Sequence, residues 1–205
     1  MSHFKPFEAE AKALGHRFIA GVDEAGRGPL AGPVVAAACI ILSDGDFPHL
    51  NDSKLMTEKE RENLFDSLPG RSDLYYGIGV VDHETIDRIN ILQATFLAMQ
   101  QAVSQLPVDP DLLLIDGPLA WKTKIPVQTI VKGDRLCQSI ALASVLAKVT
   151  RDRMMRDFNQ IYPQYKFAQH KGYPTALHAE MIRQYGLSPI HRKSFKVNRN
   201  ASSIK

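Results

Sequence analysis

The chain has 205 residues, 44% hydrophobic and 23% charged, ordinary globular proportions that exclude a wholly disordered or fibrous protein. Its net charge of +3 is unevenly spread: residues 148–205 hold twelve Lys/Arg against three Asp/Glu, and residues 1–147 hold thirteen against nineteen. A basic surface suits a phosphate backbone and clustered carboxylates suit cations, although two solvated faces account for the same counts.

Two cysteines, Cys39 and Cys137, stand far apart without a CxxC partner, so neither a disulfide framework nor a cysteine-built zinc site is expected. That usage fits a reducing, cytoplasmic location. The first residues lack an apolar run, so no secretory leader is expected, and the nearly apolar run 29–42 is short of the roughly 20 residues of a membrane span, so no membrane role is expected.

In chain order, 17–23 and 33–42 read as strands rich in β-branched residues, joined as a hairpin by a Gly/Pro-studded segment. Thr57 and Glu60 match a capping box opening a helix that stops at Pro69-Gly70. A third strand follows at 74–81. Apolar residues at Ile86, Ile89, Leu92, Phe96, Met99 and Val103 predict one helix over 83–106, ended by Pro107 and Pro110. Strands four and five fall at 111–116 and 126–131, and a long helix at 138–160. A basic and aromatic stretch then leads to a short helix at 176–185, with Gly186 placed to end it. The order predicts a single α/β domain over 1–205: a central mixed five-stranded sheet flanked by helices, with a basic helical appendage over about 160–205.

Four acids stand at predicted strand or loop ends: Asp23, Glu24, Asp116 and Asp134. Singly each has a plain structural reading, as a turn, a helix cap or a solvated loop. Together they are the oxygen donors that Mg²⁺ prefers, and a two-metal site needs several carboxylates converging on ions roughly 3.5–4 Å apart. Neighbouring strand residues point to opposite faces, so Asp23 and Glu24 share a site only if the strand turns there or a backbone carbonyl helps. Gly26-Arg27-Gly28-Pro29 follows at once, offering close backbone approach and a guanidinium fork for phosphate. It lacks the spacing of a nucleoside-triphosphate loop.

The stretch GVDEAGRGPLAGPVV at 21–35 resembles the opening motif of the ribonuclease HII family. It is joined in order by NDSK at 51–54, LLIDG at 113–117, VKGD at 131–134, SVLAKVTRDRMM at 144–155, HKGYPT at 170–175 and SPIHRKSF at 188–195. The resemblance covers nearly the whole chain. It implies a ribonuclease H-like fold and endonucleolytic cleavage of RNA joined to DNA, including 5′ to a single ribonucleotide in duplex DNA, with a role in ribonucleotide removal.

By the same resemblance, Asp23, Glu24, Asp116 and Asp134 are the catalytic carboxylates, binding two Mg²⁺ or Mn²⁺ ions. Gly26, Arg27 and Gly28 form the loop that senses the ribose 2′-hydroxyl, and Tyr173 packs against the neighbouring sugar. Lys54 is a candidate phosphate contact. Ser139, Lys148 and Arg151 lie in matching motifs and are weaker candidates, since a long helix carries charges for solubility alone.

His170, His178 and His191 read as phosphate-edge or surface residues, and Trp121 as a base-stacking or local packing residue. The expected partners are RNA–DNA hybrids and ribonucleotide-containing DNA, bound by a monomer. The C-terminal NRNASSIK contains no sliding-clamp docking motif. Ribonuclease HIII, a longer chain with a differently worded glycine loop, is the nearest confusable enzyme. Two rival readings remain open: a metal-independent ribonuclease working through some of the seven histidines, and a non-catalytic module binding hybrid duplexes.

Overall fold

The structure, a computed structural model, describes residues 4, 6–42, 47, 50 and 56–196. Lys54, the NDSK motif and the tail from 197 lie outside the described residues.

One five-stranded sheet runs β3 (Leu74–Val81), β2 (Val34–Ile41), β1 (Ile19–Ala25), β4 (Leu112–Asp116), β5 (Val127–Ile130) in spatial order. β1, β2 and β3 form an antiparallel meander, whereas β4 and β5 run parallel to β1. The chain passes from β3 to β4 through two helices over 83–104, which allows β4 to run parallel to β1, while residues 117–126 between β4 and β5 contain no helix.

Both faces of the sheet are covered, so β2 (VVAAACII) is buried along nearly its whole length rather than alternating. On one face the helix Gln138–Ile161, here α6, packs its Ala141, Leu142, Val145 and Leu146 against Val35, Ala37 and Cys39. Gly21 of β1 permits this, because a Cβ there would collide with the backbone of Ser139 and Ile140. On the other face α3 (His83–Ile89) and α4 (Ile91–Ser104) cover Ala20, Val22, Ala36 and Ala38 with Ile86, Ala94, Ala98 and Met99.

The expected helix over 83–106 is therefore two. Asn90 breaks it with φ 66° and ψ 164°, and its side-chain oxygen accepts from the amides of Leu92 and Gln93, capping the second helix. The apolar spacing survives the break, which is why periodicity alone did not reveal it. Thr57 and Glu60 do form the capping box of α2 (Glu58–Asp66), and Gly186 ends α8 (Ala176–Tyr185) at φ 74°. Three further helices fell below sequence detection: α1 (Phe7–Ala13), α5 (Gly133–Leu136) and α7 (Phe167–His170).

The C-terminal part is built around a buried aromatic and histidine cluster. Phe167 stacks on Tyr165, with ring centroids 5.4 Å apart, and meets His170, His178 and His191 at 5.7–5.8 Å. All three histidines are buried, which corrects their reading as surface or phosphate-edge residues. Their short polar rings hydrogen-bond turns that a purely apolar cluster would leave unsatisfied.

Burial, reinforced by the neighbouring histidines, lowers the pKa of His178 to about 4, and burial likewise lowers that of His191 to about 4. Both are neutral when folded, while in the unfolded chain they take up protons below about pH 6.5. The stability they contribute is complete above that value and is lost as pH falls from about 6.5 toward 4. Thermal melts across this window are expected to show a falling Tm, with a shallower slope in His178→Asn. An unchanged slope would show that these rings do not govern the acid limb.

Candidate nucleic-acid cleavage site

The parallel register of β1 and β4 creates the site. Ile19 pairs with Leu112 and Val22 with Ile115, so the next residues, Asp23 of β1 and Asp116 at the end of β4, stand side by side. Adjacent strands lie about 4.8 Å apart, within which two carboxylates feel one another strongly. Asp116 is further fixed by the amide of Gly133, which donates to its Oδ1 at 2.6 Å.

Asp23, Glu24 and Asp116 line an open cleft of about 520 Å³ with Gly26, Arg27, Gly28, Arg61, Ser144, Lys148 and Tyr173. Asp23 and Glu24 thus share it although β1 continues to Ala25. Arg27 in the loop holds the Glu24 carboxylate at 3.2 Å. Asp134 is not among the lining residues. It lies in α5 rather than capping a helix, 1% exposed, one residue beyond Gly133.

Asp23 is only 5% exposed, and burial, then Glu24 and Asp116, hold its pKa well above the usual carboxylate value. Ser144 and the Glu24 amide oppose this by hydrogen bonding the carboxylate, the latter at 2.7 Å. Glu24 is also raised, by burial above all, with Arg27 pulling the other way. Among the described residues no group of three His, Cys, Asp or Glu is arranged to enclose a metal ion. The donor set nevertheless fits hard divalent cations: it is all oxygen, and its mutual repulsion is what such a charge would offset.

The loop after β1 is held by two buried arginines. Arg192, 2% exposed, donates to the carbonyls of Gly26 (2.6 Å), Arg27 (3.1 Å), Pro29 (2.8 Å), Gly32 (3.0 Å) and Pro33 (3.1 Å). Arg151, fully buried, donates to Ala31 (3.1 Å), Pro33 (3.0 Å) and Lys171 (3.0 Å). Arg151, a weak phosphate candidate from the sequence, is thus neither a phosphate contact nor a solvated charge. Ser139 is likewise buried, beside Cys137. Burial, with Arg151 adding to it, pulls the Arg192 pKa down to about 9.

Gly26 sits at φ 99°, where a Cβ would strike the Arg151 side chain and the Pro33 carbonyl. Gly28 has no such constraint: its nearest neighbour would be Tyr173 Cε1 at 3.9 Å, an ordinary contact. Its missing side chain leaves open the gap between loop and phenol ring. Tyr173, 38% exposed, has its ring under the Lys148 ammonium at 5.8 Å and the Arg151 guanidinium at 5.7 Å. Lys148 is also paired with Asp152 at 2.7 Å. Trp121 meets Phe96 at 6.5 Å, a packing role.

The sequence did not single out Ser144, Arg61 or Arg192. Ser144 has one signal, a buried hydroxyl residue in the apolar face of α6; the other two have none short of the fold.

A ribonuclease H-like sheet with carboxylates abreast at the ends of its central strands defines a nuclease of the metal-dependent class. The ribonuclease HII profile matches residues 20–198. Ribonuclease HII of Geobacter sulfurreducens is 53% identical over 190 residues, covering 93% of this chain and 87% of that one. The enzyme of Chlamydia pneumoniae is 51% identical over 189 residues, covering 92% and 88%. The crystal structure of ribonuclease H2 from Pyrococcus horikoshii superimposes with a TM-score of 0.70 at 28% identity, covering 89% of this chain and 95% of that one. The chain belongs to the ribonuclease HII family, metal-dependent endoribonucleases acting on RNA–DNA hybrids.

Two outcomes follow from the site. Gly28→Ala is expected to keep its Tm within about 2 °C while losing discrimination for ribose, whereas Gly26→Ala loses stability because both its φ and the surrounding space forbid a side chain. Melts beside cleavage ratios on ribo- and deoxyribo-substrates check both. The raised carboxylates mean that stability in EDTA declines as pH climbs from their ordinary range near 4 through their elevated pKa values. Asp23→Asn should therefore melt higher than the unsubstituted protein in EDTA at neutral pH, by about 2–4 °C per kcal/mol relieved, and gain less from added Mg²⁺. Equal melting points with and without the substitution would show that charge repulsion is not stored there.

Proposed function

We propose that the cleft cuts the strand 5′ to a ribonucleotide, in hybrids and at single ribonucleotides embedded in duplex DNA, leaving 3′-hydroxyl and 5′-phosphate ends. The observation that carries this is the conjunction of the carboxylates with the glycine turn: one wall suits cations and a phosphate, the other a sugar edge. Asp23, Glu24, Asp116 and Asp134 would hold Mg²⁺ or Mn²⁺, as a pair in the active complex. Bound there, the metal supplies Lewis acidity to the scissile phosphate and an activated water.

The chain's own residues do the rest. Ser144 and the Glu24 amide hold the Asp23 carboxylate. Arg192 and Arg151 engage the loop carbonyls, fixing how closely the backbone around Gly26, Arg27 and Gly28 can approach a ribose. The 2′-hydroxyl both donates and accepts, and it is the feature that separates RNA from DNA at one sugar. Arg27, while paired with Glu24, is half exposed and can turn to a phosphate oxygen. Lys148 and Arg61 place positive charge at the cleft for the backbone on either side. Tyr173 offers its ring face to the neighbouring sugar, discriminating by shape; a phenol of reference pKa about 10 is a poor proton donor near neutrality.

We further read the chain as one catalytic domain with its basic C-terminal part docked through α6, acting as a monomer without a clamp-docking motif. A reducing cytoplasm is supported by two separate buried thiols. Among the described residues no helix is long and apolar enough to cross a membrane. The histidine-driven alternative is opposed by the burial of His170, His178 and His191, whose ring nitrogens are all engaged in hydrogen bonds. A purely binding module has no use for carboxylates that repel one another beside its phosphate track.

Mapping cleavage of a DNA duplex that carries one ribonucleotide tests the reading. Scission should occur 5′ to the ribonucleotide only with divalent metal, and Asp116→Asn should fold yet cut more slowly by about two to three orders of magnitude. Normal turnover by that variant removes Asp116 from the mechanism, and cyclic phosphate ends formed in EDTA would hand the reaction to the histidines.

A further inference from the structure

We propose that His178 and His191 are positioning residues for Tyr173, acting through its backbone carbonyl to set the distance between the phenol ring and the glycine turn. The inference rests on the sugar-packing role given to Tyr173 above. It follows from hydrogen-bond accounting, because the chain of contacts has a fixed polarity at each end. The Tyr173 carbonyl, 3.0 Å from His178 Nδ1, can only accept, so Nδ1 carries the proton. His178 Nε2 is then bare, and 3.0 Å away His191 Nε2 must donate to it. His191 Nδ1 is left as an acceptor, and at 2.8 Å it meets the Ser188 amide, which can only donate. One directed relay therefore runs from Ser188 through two neutral imidazoles to Tyr173.

His170 supports the same turn from beside it. Its Nδ1 accepts from the Gly172 amide at 3.1 Å, its Nε2 donates to the Tyr165 carbonyl at 2.8 Å, and its ring stacks on His178 with centroids 4.2 Å apart. The Tyr173 carbonyl also accepts from the Thr175 amide at 2.8 Å, so the relay adds a second donor from outside the turn. The residue after His191 is Arg192, which grips the glycine loop. Consecutive side chains on one segment thus hold the two walls of the sugar-reading gap: His191 reaches Tyr173 through His178, and Arg192 reaches Gly26, Arg27 and Pro29 directly. Across that gap the position a Gly28 side chain would take is 3.9 Å from the Tyr173 ring. A loosened Tyr173 carbonyl would change that spacing without altering any group that touches the substrate.

The test is a double-mutant cycle read on kcat/KM, in Mg²⁺, for a DNA duplex carrying one ribonucleotide. His178→Gln places an amide where Nε2 stood and cannot donate to Tyr173; His178→Asn places its amide where Nδ1 stood and can. The expected result is a fall of about five- to tenfold for His178→Gln and for His191→Leu, the loss of one buried hydrogen bond's worth of positioning. His178→Asn keeps the donor to Tyr173 but loses the contact with His191, so its fall is expected to be smaller than that of His178→Gln and no smaller than that of His191→Leu, and in a Tyr173→Ala background His178→Gln should change the rate by less than about twofold. The Tm cost of each histidine substitution should be the same in both backgrounds. A fall that is equally large without the Tyr173 ring overturns the proposal, because the histidines then act on the fold at large. So does no fall at all in a variant that melts normally. If Tyr173→Ala alone leaves cleavage of the single ribonucleotide unaltered, the sugar-packing role itself is rejected and this inference falls with it.

Discussion

Two guanidinium groups lie buried beneath the loop that follows β1, their hydrogen bonds among the described residues going to backbone carbonyls, and the geometry of the site depends on how the cost of burying them is offset. A charge removed from water costs several kcal/mol unless every donor is satisfied. Here the compensation is a shell of backbone carbonyls, from Gly26, Arg27, Pro29, Ala31, Gly32, Pro33 and Lys171. Such a shell forms only if those carbonyls all turn inward, so the loop has little freedom left. Lysine could not replace either arginine, having three donors on a point charge in place of a planar fork. The segment's two prolines and its glycines, which look like flexible connectors, are instead held by side-chain hydrogen bonds from the two arginines.

The carboxylates pose the opposite electrostatic problem. Asp23 and Asp116 are placed abreast by a strand register that the hydrophobic pairing of Ile19, Ala20, Gly21 and Val22 with residues 112–115 enforces. A slip by one residue would put Val22 or Glu24 on the wrong face, so the packing of α6 and α4 on the two sides is what fixes the acids in place. The core therefore works against the repulsion at its own edge. The arginine shell and the acidic edge meet at Gly26, the first residue of the loop and a neighbour of the pair Asp23-Glu24.

α6 ties these parts together. Its first turns lie against Gly21, its middle offers Ser144 to Asp23 and Lys148 to the cleft, and further along it sends Arg151 under the loop. Beyond that point Arg153 and Arg156 pair with Glu58, Glu62 and Asp66 of α2, fixing the helix that carries Arg61. The C-terminal segment is tied at its other edge by Asp87 of α3, which accepts from the amides of Lys193 and Ser194. The segment read as an appendage over about 160–205 is joined by side-chain bonds to α3 through Asp87 and to the loop after β1 through Arg192.

By itself the sequence determined the class of fold, the sheet's five strands, the capping box at Thr57 and Glu60, and the glycine-bearing turn directly after Asp23 and Glu24. These are local or compositional signals: periodicity, turn residues, and motifs contiguous in the chain. It misread His170, His178 and His191 as surface or phosphate-edge groups and did not see that Arg151 is buried under the loop, because a polar letter carries no record of whether its partners are water or buried backbone. The break at Asn90 escaped notice because the apolar stripe continues through it. Only the tertiary structure decided that Asp23 stands beside Asp116, that Gly26 is required by sterics whereas Gly28 is not, and that Arg192 holds a loop some 160 residues earlier. Each of those depends on strand register or long-range hydrogen bonding, interactions between residues whose separation along the chain says nothing about their distance in space.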